Sequence, residues 1–491
     1  MGFDLESLSL LADAARTLEA GFADLPDFRS QGDFAAMRRV LLAAAQRLRD
    51  NLPYHHPLYI GQMLKPPHPV ARLAYALAMF LNPNNHAADG GRASSIMEQE
   101  ALAKLAGLVG WQQHLGHLTS GGTMANFEAL WIARELRPGA TLAASTQAHY
   151  THARLAAVLG MPFCPVPVDA SGRMNVAALA ERAVAGQIGT VVASLGTTAA
   201  GAVDPLPEIL AVAAAHGLRV HVDAAYGGYF KLAGNLDPPA RAAFACMHRA
   251  DSLVIDPHKH GLQPYGCGCV LFQDPSVARF YQHDSPYTYF AAPPAAELPS
   301  PLAEAEPSVS PLPFPLAGEG SGVRGEAPPG RHLGEISLEC SRSGASAVAL
   351  WATLELLPLE VGGEFARGLE AGRDAALTLH AYLASHARFA PLMRPELDIV
   401  TWAIRAPSAS ESSLLARRLF EASARRQLHL ALATFPRAML EPAQPVQHWD
   451  ADEITCLRAC VMKPEHRDWL PRIIAILDAS ADEIGEPIGK A

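Results

Sequence analysis

Apolar residues recur at helical spacing over the first fifty positions: Leu8, Leu11, Ala15 and Leu18, then Met37, Val40, Leu41 and Ala44. This spacing predicts helices lying outside the main domain. A proline-rich stretch, 52–69, reads as irregular chain. Between 110 and 273 the pattern changes. Short β-rich runs (191–195, 218–222, 253–255 and 269–272) alternate with alanine-rich helical stretches such as 206–215. Such alternation predicts βαβ units, hence an α/β fold with a mainly parallel central sheet and helices on both faces. Ligands of open sheets gather at the carboxyl ends of the strands. Residues 291–330 break the pattern with 10 Pro and 5 Gly in 40 positions, above the roughly 25–30% that marks low-complexity chain. They read as a disordered, inserted surface loop. Beyond it, 346–357 and 364–385 read as helices, 399–404, 428–433 and 456–462 as strands, and 469–484 as a closing helix. The expected organisation is an N-terminal segment (1–69), a large α/β domain (70–290), the insertion (291–330), a linker helix region (331–362) and a smaller α+β C-terminal domain (363–491).

Composition narrows the function classes. The chain of 491 residues carries a formal charge of −10, which argues against a nucleic-acid binder, since that needs a basic face. Seven cysteines are too few and odd in number for a disulfide scaffold. The first residues lack the basic and apolar regions of a secretory signal, and no uncharged apolar run reaches the ~18 residues of a membrane span. A cytoplasmic protein without membrane attachment is the expectation.

Candidate chemistry centres on Lys259, in Asp256-Pro-His-Lys259, and on Asp223, 36 residues upstream in His221-Val-Asp-Ala-Ala. Each closes a short apolar run, so both should lie at strand ends. A lysine amine and a carboxylate are the pair that pyridoxal 5'-phosphate chemistry requires: the amine condenses with the aldehyde, and the carboxylate keeps the pyridine nitrogen protonated. Thr119-Ser-Gly-Gly-Thr-Met-Ala-Asn126 has the glycines and hydroxyls of a helix start that binds phosphate, or of an ordinary capped turn. His149 could stack on a cofactor ring or simply cap a helix; His152 reads as structural. Thr198, in Leu195-Gly-Thr-Thr, could bond the ring, with Asp204 holding the turn that follows. Ala225 is small enough to lie beneath a ring. His258-Lys-His260 and Cys267-Gly-Cys269 match no common zinc spacing, so a metal is not expected.

Taken together, Gly121-Gly-Thr123, Ala148-His149, Leu195-Gly-Thr-Thr198, His221-Val-Asp-Ala-Ala225, Asp256-Pro-His-Lys259 and Leu338-Glu-Cys-Ser-Arg342 occur in the order found in group II pyridoxal-phosphate-dependent amino acid decarboxylases. The chain resembles that family, which includes glutamate, aromatic amino acid and tyrosine decarboxylases, from about 56 to 351. The resemblance implies the PLP-dependent transferase fold (fold type I) and decarboxylation of an L-amino acid through a Lys259 imine and a quinonoid intermediate. It assigns the ring nitrogen to Asp223, stacking to His149 with Ala225 opposite, the phosphate to Gly122, Thr123 and His258, and the ring's 3-hydroxyl side to Thr198. Arg342 becomes a candidate for the substrate carboxylate, or else a helix-start salt bridge. Gln62, in His56-Pro-Leu-Tyr-Ile-Gly-Gln-Met63, becomes a candidate for the substrate side chain. Tyr287 or Tyr289, in a mobile loop, would be the proton donor, and the insertion directly after them could hinder closure. Asp256 departs from the neutral residue of several relatives. Family members are obligate homodimers, so a dimer is implied. A carbon–carbon lyase of the sphingosine-phosphate-lyase type, and a PLP-binding protein inactivated by the insertion, are the alternatives.

Overall fold

The computed structural model describes residues 5–26, 28, 32–87, 90–186, 188–281 and 337–485. Its centre is a seven-stranded sheet: β1 (Leu115–Thr119), β2 (Thr141–Ser145), β3 (Phe163–Val166), β4 (Ile188–Ser194), β5 (Arg219–Asp223), β6 (Ser252–Ile255) and β7 (Gly268–Phe272). The strand order is β1-β7-β6-β5-β4-β2-β3. Neighbours from β3 to β6 pair in parallel, while β7 runs antiparallel to both β6 and β1. β1, β4 and β7 are buried along their whole length. Covering both faces of a strand with protein demands a continuous apolar run instead of alternation, and this is what the Val-Val-Ala of β4 supplies. Pro165 is tolerated in β3 because that strand is an edge and Pro has no ladder N–H to give.

A second sheet, of order β11-β13-β9-β8, belongs to the C-terminal part. It comprises β8 (Phe389–Pro391), β9 (Ile399–Ile404), β11 (Ala431–Pro436) and β13 (Glu453–Cys460), with β10 (Ala406–Ser408) and β12 (Val446–His448) forming a separate pair. Trp402, Phe389, Leu419, Leu457 and Ile473 pack there with the helices Glu364–Ser385, Ala409–Arg425 and His466–Gly485.

One expectation is corrected. The strand expected at 428–433 begins three residues later, because its first residues pair elsewhere: His429 N–H donates to Leu58 O, and Ile60 N–H donates to His429 O, both at 2.9 Å. The stretch read as irregular therefore holds a buried segment, Leu58 to Ile60, that docks on the C-terminal part. Its Ile60 carbonyl also accepts from Cys460 N–H at 2.7 Å. The helices Leu8–Ala20 and Phe34–Leu48 bury no residue of their own. Phe34 (78%) and Leu41 (68%) are among their exposed apolar side chains.

Candidate active site

A cavity of about 390 Å³ opens where β4, β5 and β6 end and the Gly122–Leu136 helix begins. Of the residues singled out in the sequence, Gly122, Thr123, His149, Thr198, Asp223, Ala225, His258 and Lys259 all line it. The register explains the convergence. β4, β5 and β6 are adjacent and parallel, so the turns after Ser194, Asp223 and Ile255 leave the sheet side by side.

At the helix start the backbone is open to a ligand. Gly121 precedes the first turn with φ +156° and ψ 174°, and no side chain caps the helix. That conformation is essentially confined to glycine. The strand behind it must also be bare: a Cβ on Gly268 of β7 would lie 2.5 Å from the Gly121 carbonyl carbon, so β7 needs glycine there. Uncapped first-turn N–H groups and the positive end of the helix dipole suit a phosphate. Asn126, one turn along, donates to Gly122 O at 2.8 Å and accepts from His221 Nε2, also at 2.8 Å. His221 Nδ1 meets Ser252 Oγ at 2.9 Å. The helix start is thereby fixed to β5 and β6. Burial, aided by the nearby His152, pushes His221 down to about 3, so it is a neutral hydrogen-bonding link.

Asp223 ends β5. Its Oδ2 accepts from His152 Nε2 at 2.8 Å, and its Oδ1 accepts from Ala225 N–H at 3.1 Å. Burial pushes this carboxyl upward. The hydrogen bond and charge of His152, with Lys259 and His221, outweigh that and hold it well below the ordinary carboxylate range. The site thus presents a permanent anion. His152, read from sequence as structural, is the group that orients it. Its spacing of three from His149 was the available signal, since both then sit on the turn entering the Thr151–Val158 helix.

Lys259 Nζ lies 3.0 Å from Asp256 Oδ2. Asp256 is buried, and its Oδ2 would be 2.5 Å from a Cβ on Gly122. His258 donates from Nδ1 to Cys267 O at 2.7 Å, and its ring packs on Tyr265 with centroids 4.8 Å apart. Burial lowers the pKa of both His258 and His149. Thr197 is buried and uses its Oγ1 to accept from Ala202 N–H at 3.0 Å, whereas Thr198 is exposed to the cavity. Cys267 and Cys269 are buried free thiols.

Two residues expected near the substrate are not among those lining the cavity. Arg342 is buried, with its Nη1 2.6 Å from Glu98 Oε1 and 3.0 Å from Leu118 O, and it borders a separate recess of about 140 Å³. A guanidinium committed to a buried carboxylate is costly to detach. Gln62 is exposed. Tyr265, which does line the cavity, reaches back to that segment by donating to Met63 O at 3.2 Å. Tyr287, Tyr289 and the insertion lie outside the described residues.

The residues present fit a group with a phosphate at one end, a protonated ring nitrogen at the other and an aldehyde within reach of Lys259. Comparison with known proteins agrees. Residues 70–283 match the pyridoxal-dependent decarboxylase conserved domain. A probable L-aspartate decarboxylase of Halobacterium salinarum is 32% identical over 237 residues, covering 48% of this chain and 64% of that protein. The chain thus spans just under two thirds of that relative's length. An L-tyrosine decarboxylase of Enterococcus faecium is 26% identical over 494 residues, covering 79% of this chain and 75% of that protein. Oryza sativa TDC with PLP and tryptamine shares the fold, with a TM-score of 0.72 at 17% identity over 98% of this chain and 97% of that one. The ordered motifs, their convergence on one cavity and these matches agree: residues 70–283 match the pyridoxal-dependent decarboxylase domain, and the chain is similar to pyridoxal-phosphate-dependent amino acid decarboxylases.

Proposed function

We propose that this protein decarboxylates a free L-amino acid to its amine and CO2 with pyridoxal 5'-phosphate held in the cavity. The observation that carries this reading is the meeting, in one cavity, of an ionised Asp223, Lys259 and an uncapped glycine helix start. When bound, the cofactor supplies an aldehyde for Lys259 and an electron-accepting ring for the bond that breaks as CO2 leaves. The chain's own residues then have the following roles. Gly122 and Thr123 hold the phosphate through the first-turn N–H groups, with His258 beside them. Asp223, kept anionic by His152, holds the proton on the ring nitrogen. His149 covers one face of the ring, Ala225 leaves room on the other, and Thr198 meets its hydroxyl side. Lys259 anchors the cofactor and yields to the substrate amine. Tyr287 or Tyr289 returns the proton after CO2 departs.

The protein is further proposed to act in the cytoplasm, where its seven free cysteines suit a reducing compartment, and to work as a homodimer. The exposed apolar faces of the Leu8–Ala20 and Phe34–Leu48 helices favour burial against a second copy. The reading is tested by supplying the cofactor-loaded protein with the twenty amino acids and 2,4-diaminobutyrate, then measuring CO2 and amine. Release from at least one L-amino acid is expected. Full cofactor loading with no CO2 from any of them would remove the assignment.

A further inference from the structure

Beneath the cavity floor lies a buried polar contact outside the roles assigned above. Asp398, immediately before β9 in the C-terminal sheet, is 1% exposed. Its Oδ1 accepts from the Tyr226 hydroxyl at 2.5 Å, and its Oδ2 lies 3.3 Å from His260 Nε2. The Tyr226 and His260 rings meet edge to face with centroids 4.7 Å apart, and Phe230 closes on the same imidazole at 5.0 Å. Tyr226 and His260 are themselves buried. They immediately follow Ala225 and Lys259, and Tyr226 also lines the cavity. One carboxylate from the C-terminal part therefore grips the turn after β5 and the turn after β6 at once.

We propose that Asp398 is a positioning residue for the reaction proposed above, fixing the Ala225 turn and the Lys259 turn relative to each other from below. The inference rests on that functional reading and goes beyond it by giving the C-terminal part a role at the site. A buried carboxylate with two polar neighbours tolerates only one arrangement of them, so it specifies geometry as well as contributing energy.

Charge also enters. The titratable and charged groups facing Asp398 are Tyr226 and His260 from the two turns, Lys65 from the N-terminal segment, and Arg458 and Cys460 from β13. Burial pushes Asp398 up to about 6, against the Tyr226 hydrogen bond and the charges of Lys65 and Arg458. Burial holds His260 neutral, well below its ordinary range. An ionised Asp398 accepts from the Tyr226 hydroxyl at Oδ1 and sets its other oxygen against the His260 imidazole; protonation weakens that acceptance and changes what His260 faces.

The test is a titration of cofactor-free wild type, Asp398→Asn and Tyr226→Phe with pyridoxal 5'-phosphate from pH 5 to 8, alongside thermal unfolding. Wild type should lose affinity as pH falls through about 6. Asp398→Asn should bind about tenfold more weakly at pH 8, the scale of one lost charge-assisted hydrogen bond, and should lack that acid inflection. Tyr226→Phe removes the donor that favours the carboxylate, so its inflection should move to higher pH. Wild-type affinity and inflection in Asp398→Asn would overturn the proposal. So would a weakening equal at every pH that merely follows a lowered melting temperature. Should Asp398→Asn not fold, an unshifted, wild-type Tyr226→Phe profile would be enough to overturn it. A wild type that binds no pyridoxal 5'-phosphate at any pH would instead bring down the functional reading itself.

Discussion

At Asp223 two effects oppose each other: burial favours the neutral carboxyl, while His152 at 2.8 Å favours the anion, and the second prevails. Removing the imidazole should reverse the balance. In His152→Ala the Asp223 carboxyl should titrate higher, so the acid limb of the kcat/KM profile should move to higher pH. An unchanged limb would deny His152 its role. Asp223→Asn should lower kcat by about 100-fold or more with the fold intact, because a neutral partner forfeits a stabilisation of roughly 1–3 pKa units at the ring nitrogen. Among Tyr287→Phe and Tyr289→Phe, one should lose amine formation by about 10²–10⁴-fold, the usual worth of a general acid, with cofactor loading preserved. Equal, near-wild-type rates would exclude both. Lys259, Asp223 and Gly122 were legible because each carries its chemistry at a recognisable strand or helix end. His152, Asn126 and Asp398 were not, since their function lies in a partner 71, 95 and 172 positions away. Arg342 illustrates the converse. Its residue type suits a carboxylate, but the carboxylate it meets is Glu98 of its own chain.

Among the elements, the glycine helix start is the most constrained. Gly122→Ala would set a Cβ 2.5 Å from the Asp256 carboxylate, and overpacking of this kind costs about 1–3 kcal/mol. The substitution should lower the melting temperature and weaken cofactor binding together; a wild-type cofactor affinity would show that the start is not the phosphate cradle. The strands β4, β5, β6 and β7 were readable as β-rich runs between alanine-rich helices. β11 was misplaced because Leu428 and Leu430 are as apolar as a strand requires, yet this stretch pairs with residues 58–60. Apolar pattern reports burial and says nothing of the partner. The same limit applies to the Leu8–Ala20 and Phe34–Leu48 helices, whose apolar stripes were evident and whose covering surface was not. Replacing Phe34 and Leu41 by Asp should turn a dimer into a monomer by light scattering. A wild type that is already monomeric would remove the dimer proposal.

For the whole molecule, pH acts through buried groups of opposite sign. His221 and His466 are pushed by burial down to about 3, so below about 6.5 the unfolded chain takes up protons that the folded one refuses. Each then costs about 1.4 kcal/mol of stability per pH unit. Asp204 and Asp398, raised to about 7 and about 6 by burial, work the other way: their stabilisation is present near pH 4 and is lost as pH rises through those values. A difference measurement isolates one group. In urea denaturation, the stability advantage of wild type over His221→Gln should shrink as pH falls from 6.5 to 4, and a constant gap would contradict the neutral buried state. All of this matters to function only if Lys259 carries the cofactor. The most direct test is to load the protein with pyridoxal 5'-phosphate, reduce it with borohydride and map the labelled peptide. A single pyridoxyl group on Lys259, absent in Lys259→Ala, is the predicted result; no adduct, or one on another lysine with Lys259 unmodified, would contradict the account.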